Sequence, residues 1–115
     1  VIPVSVDIRP KSTENAITLT STSRLPVAIL GSGAIDATTI GVETVRLAGA
    51  SVAGRESGSF LASVEDVNGD GRADLVLHFD IQDLALLSHD TQAVLEGQTR
   101  GGVRVLGQDS ITIVP

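Results

Sequence analysis

Hydrophobic and polar positions alternate with a period of two along most of this chain. Ile2, Val4, Val6 and Ile8 fall on one side of the first eight residues, and Val1, Pro3, Ser5 and Asp7 on the other. That is the pattern of a half-buried strand, with Pro3 favouring an edge or a strand end because it cannot donate to a ladder. Residues 9–15 read as a polar turn. Ile17 and Leu19 mark a second strand that runs into a Thr/Ser-rich stretch at 20–23. Leu25 to Leu30 is apolar on both faces, which predicts a central strand with Pro26 at its start, ended by Gly31-Ser32-Gly33. Residues 34–41 predict a turn or one short helical turn with Ile35 and Ile40 pointing inward, and Val45 and Leu47 a fourth strand. Gly49 to Gly58 reads as a connection with a short strand near Val52.

The alternation is clearest around the middle of the chain. Phe60, Ala62 and Val64 alternate with Leu61, Ser63 and Glu65. Leu75, Leu77 and Phe79 alternate with Val76, His78 and Asp80. These phases predict a hairpin with both phenylalanines in the core. Ile81 to His89 fits either a short helix or an irregular crossover. Residues 91–98 and 102–106 predict a further hairpin, turning at Arg100-Gly101-Gly102, and Ile111 and Ile113 a last strand. The whole predicts one all-β domain over residues 1–115, an antiparallel β-sandwich of about nine short strands.

Between the two central strands lies Asp66-Val67-Asn68-Gly69-Asp70-Gly71-Arg72-Ala73-Asp74, a D-x-N-x-D-G-x-x-D run. Oxygen-bearing side chains recur at every second position, then a glycine, then one more carboxylate. A hard cation such as Ca2+ takes roughly six to eight oxygen ligands at about 2.3–2.6 Å. Asp66, Asn68, Asp70 and Asp74 offer four side chains, and the Arg72 carbonyl a fifth ligand. Gly71 sits where the loop must turn sharply. Three aspartates this close repel one another unless a cation lies between them. The bland alternative is a polar turn, since Asp-Gly is a common hairpin pair, but a plain turn does not need Asp66, Asn68 and Asp74 in register with it. The EF-hand places a bidentate Glu at the twelfth loop position; here that position is Leu77. The expected site is therefore strand–loop–strand. Asp80 and Asp83 are candidates to extend it.

The loop resembles those of integrin-type and FG-GAP/VCBS propeller repeats. A propeller needs several blades, and this chain has one copy, so that resemblance covers the loop alone. Four longer strings reach further: V-D-I-R-P at 6–10, L-P-V-A-I-L-G at 25–31, E-D-V-N-G-D-G-x-x-D-L-V-L-H-F at 65–79 and G-x-D-S-I-x-I-V-P at 107–115. Together they resemble a calcium-loop β-sandwich module of large secreted bacterial and archaeal surface proteins. The resemblance implies an extracellular location and calcium, and a structural or adhesive role; it names no activity. Lys11 stands where that pattern leads one to expect glycine.

Composition narrows the function classes. The net charge is −6 and the eight basic residues are scattered singly, unlike a nucleic-acid footprint. No apolar run approaches the roughly 20 residues of a membrane span. There is no cysteine for a disulfide framework or a thiol nucleophile. There is no methionine either, so the expectation is that a signal peptide, a neighbouring domain or both precede the chain. No motif marks His78 or His89 as a general base, and a catalytic histidine needs a positioned partner. The Glu65-Asp66 pair fits a surface or supporting role better than glycosidase chemistry. Lys11 and Asn15 lie in one turn, not on adjacent core strands, which disfavours an isopeptide bond. The expectation is a non-enzyme. A carbohydrate-binding, lectin-like module is the alternative, but the chain has no Trp or Tyr to stack on a sugar. Strand patterns at both ends have two readings: both ends pair inside their own sandwich, or a terminal strand reaches a further partner, a neighbouring domain of a surface protein or a second copy of the chain. Residues 1–8 would then be donated to a neighbour in an extracellular filament.

Overall fold

A computed structural model describes residues 2–8, 16–20, 22–32, 35–54, 60–67, 69, 71–86 and 90–114. The polar turn at 9–15 with Lys11 and Asn15, His89, and the ligand candidates Asn68 and Asp70 lie outside the described residues.

The strands in chain order are β1 (Ile2–Pro3), β2 (Ser5–Ile8), β3 (Ala16–Thr18), β4 (Arg24–Leu30), β5 (Arg46–Leu47), β6 (Ala50–Ser51), β7 (Ala62–Glu65), β8 (Asp74–Asp80), β9 (Gln92–Gln98), β10 (Arg104–Ser110) and β11 (Thr112–Val114). Single turns of 3-10 helix at Ala37–Thr39, Val42–Thr44 and Ile81–Asp83 are the helical elements among the described residues. One sheet runs β1-β10-β9-β5-β6, a second runs β2-β4-β8-β7, and β11 pairs with β3. The fold is all-β. The strands among the described residues number eleven rather than nine, because sheet-switching splits the first segment and short pairs flank the loops.

The second sheet follows directly from the period-two pattern. Its registers align Val6, Ile29, Leu75 and Val64 in one row, and Ile8, Val27, Leu77 and Ala62 in the next. Leu25 faces Phe79. Alternation along four strands in register thus places these aliphatic side chains on one face. Against them pack Leu47, Ala93, Leu95 and Val105 of the first sheet, so one continuous core draws on both sheets.

Two expectations are corrected. The sandwich is not wholly antiparallel: β1 runs parallel to β10, and β11 parallel to β3. Both parallel pairs involve a terminal strand, which has no hairpin partner beside it in the chain and is paired by topology alone. Phe60 is not core but 41% exposed, and Val64 is 55% exposed. The phase was right, since Ala62 and Val64 share the inner rows, but β7 is the outermost strand and the core ends there. Phe60 precedes the ladder altogether, in an isolated bridge to Gly54. Phe79 is fully buried, as expected.

The N-terminal segment crosses between the sheets. Ile2 and Pro3 pair with β10, Val4 donates to the Leu106 carbonyl at 2.9 Å, and Ser5–Ile8 pair with β4. The crossing is possible because residue 107 is glycine. A Cβ there would lie 2.5 Å from the Val4 carbonyl oxygen and 2.7 Å from a Val6 methyl. Val6 and Ile8 are buried in the chain's own core.

Candidate metal centre

The 66–74 loop joins β7 to β8, which pair antiparallel with Glu65 opposite Asp74. The expected strand–loop–strand setting is therefore present. Two left-handed glycines shape the loop, Gly69 at φ 72° and Gly71 at φ 82°. A Cβ at either would meet nothing within 4 Å, so the requirement is conformational and not one of space.

Asp66 opens the loop and its carboxylate faces into it. The Gly69 amide donates to Oδ1 at 2.9 Å, and the Gly71 amide to Oδ2 at 2.9 Å. Asp66 remains exposed. Asp74 closes the loop from the first residue of β8, and its exposure is 0%. The Val67 amide donates to its Oδ2 at 3.0 Å, and the Gly31 amide to its Oδ1 at 2.8 Å. A buried carboxylate needs such partners, because unpaired burial of the charge is very costly.

Gly31 thereby acquires a role beyond ending β4. A Cβ on it would sit 2.5 Å from the Ala73 carbonyl oxygen. Only glycine lets the backbone at residue 31 lie against the loop closely enough to reach Asp74. By pattern alone Gly31 is a breaker. The available signal was its place directly after an apolar central strand, where a loop must pass the neighbouring strand's end. Between the two segments lies a cavity of about 420 Å³ lined by Ser32, Ile35, Asp36, Thr38, Arg72 and Ala73 among others. Asp36 accepts from the Thr38 hydroxyl at 2.6 Å and the Thr38 amide at 3.0 Å. These two bonds hold its carboxyl below the usual range, the hydroxyl contributing most.

The structure thus places Asp66 and Asp74 at the two ends of one loop, with Arg72 between them in the chain. Asp80 and Asp83 do not join them. Asp80 ends β8 and pairs with Arg24 at 3.2 Å. A rise of about 3.3 Å per residue puts it about 20 Å from Asp74. Among the described residues, no group of three or more His, Cys, Asp or Glu could hold a metal ion.

The donor chemistry of the loop still suits a hard cation. An ionised carboxylate has about four acceptor sites, and the amides take two at Asp66 and two at Asp74. Both side chains are pre-set by these amides of the described residues. Comparisons of the chain with family models, with curated proteins and with solved structures found no match. No helix among the described residues is long and apolar enough to cross a membrane.

Proposed function

We propose that this domain is a non-catalytic, calcium-binding β-sandwich module that works outside the cell in a structural or adhesive role. The observation that carries the reading is the D-x-N-x-D-G-x-x-D loop closing an antiparallel strand pair, its first and last acids each held by two backbone amides. Asp66, Asn68, Asp70, Asp74 and the Arg72 carbonyl are the proposed ligands. Bound calcium would supply positive charge that offsets repulsion among the three aspartates. It would also tie the end of β7 to the start of β8 and, through the Asp74–Gly31 bond, to the end of β4.

Self-assembly through residues 1–8 belongs to this proposal only as strand exchange. The described part, residues 2–8, pairs within its own fold on both sheets, so a neighbour would have to receive the strand that the donor gives up. The lectin-like alternative gains one surface aromatic, the half-exposed Phe60.

Isothermal titration of chelator-stripped protein tests the reading. Calcium should fill one site, with magnesium much weaker because it demands a smaller, near-octahedral shell. Asp66→Ala should abolish the heat. No heat from the unaltered protein at millimolar calcium overturns the proposal.

A further inference from the structure

We infer that the open edge of β7 is an acceptor for an extended segment of a partner protein, one with alternating aliphatic side chains and a carboxylate. Among the described residues the second sheet ends at β7. The His78 backbone amide donates to the Leu61 carbonyl at 3.1 Å, which fixes the phase of the ladder. Antiparallel pairs alternate, so Ser63 and Glu65 bond to β8, while Ala62 and Val64 turn their backbone groups to the open side. The Ala62 amide is already taken by the Phe60 carbonyl at 3.0 Å. That leaves the Ala62 carbonyl and both backbone groups of Val64 facing outward, a short template for one more strand.

Beside this edge lies a groove lined by Ile40, Val42, Ala62, Val64 and Leu75, with Arg100 among its walls. Its volume is about 200 Å³. Drug-sized ligands occupy roughly 300–1,000 Å³, so the groove suits one or two aliphatic side chains rather than a small molecule. An added strand would point alternate side chains into it, covering Val64, the most exposed of the large aliphatic side chains among the described residues. The charge that Arg100 brings to an otherwise uncharged lining calls for a carboxylate on the incoming segment. Natural edges are often blunted by lysine or proline; β7 carries neither. This inference does not depend on the ion, although β7 leads straight into the 66–74 loop.

The test is fluorescence anisotropy with a labelled ten-residue peptide of alternating valine and threonine bearing one aspartate, run in calcium and in chelator. The unaltered protein should bind it, and the backbone amide of Val64 should be among those that shift on titration by NMR. Val64→Pro removes the outward donor without touching the β8 ladder and should weaken binding at least tenfold, as should Arg100→Glu. If Val64→Pro fails to fold, Val64→Lys replaces it and should weaken binding equally. Binding in calcium but not in chelator supports the acceptor edge and links it to the loop. Equal binding in both supports the edge and leaves the ion reading to its own titration. No binding at millimolar peptide, binding unchanged in the variants, or pairing of two copies through β7 in sedimentation would each overturn the inference.

Discussion

Asp74 shows how much one side chain decides. It is fully buried, and it satisfies one amide from its own loop and one from Gly31 across the sheet end. Removing it orphans both donors, each costing about 1–3 kcal/mol when buried. Asp74→Ala should therefore lower the urea midpoint strongly even in chelator. Asp66→Ala acts differently, because Asp66 and the amides it serves lie in an exposed loop. Water can replace it, so its effect without calcium should be small and its effect with calcium should be loss of the ion-dependent gain. Equal losses for both variants in chelator would contradict this division. A second residue carries the opposite sign. Burial, and then the charge of Asp109, push the Asp7 carboxyl above its ordinary value near 3.8. The folded state thus holds this proton to higher pH than the unfolded chain does. By linkage, stability is lost as pH rises from the unfolded value through the folded one, and the penalty is complete above that. Asp7→Asn should raise the melting temperature at pH 7 and lose that advantage below about pH 3.8. A gain independent of pH would mean that charge is not the cause.

At the scale of the element, the N-terminal segment is held by a close approach that only glycine permits. Gly107→Ala sets a methyl against the Val4 carbonyl and the Val6 side chain. Overpacking of this kind costs typically about 1–3 kcal/mol. The loss should be local first: amides of residues 2–6 should exchange hydrogen faster while those of β8 keep their protection. Uniform loss across the molecule would show that the crossing is not a separable unit. The same elements mark where the sequence was legible. The alternation of Leu75, Leu77 and Phe79 specifies an inner face by local pattern alone, and β8 has that face. Phe60 obeys the same period yet is exposed, because periodicity tells which side a residue faces and not whether anything covers it. The parallel pairing of both terminal strands was invisible for a related reason, since no local pattern encodes a partner about 100 residues away. In the candidate site, the spacing marked Asp66 and Asp74 together. It could not show that Gly31, 43 positions earlier, supplies an amide to the same carboxylate.

At the scale of the molecule, the loop, the end of β4 and the hairpin form one mechanical junction, and a cation seated there would bind the folded chain alone. Unfolded, the aspartates would lie on a flexible chain and hold calcium poorly, so linkage would assign the binding energy to folding. At free calcium 100 times the dissociation constant the gain is about 2.7 kcal/mol. The unfolding entropy of a 115-residue domain, at about 2.1 cal/mol/K per residue, converts this to a rise of about 10 °C in Tm. Thermal melts in calcium and in chelator should differ by that order. The difference should grow with the logarithm of calcium once the site is filled, which separates specific binding from general salt screening. Sodium chloride of matched ionic strength should not reproduce it. Asp66→Ala should melt at one temperature in both buffers. If the unaltered protein also does so, the two carboxylates are structural acceptors for backbone amides and nothing more. The loop would then be an Asx-turned hairpin whose resemblance to calcium loops is one of shape.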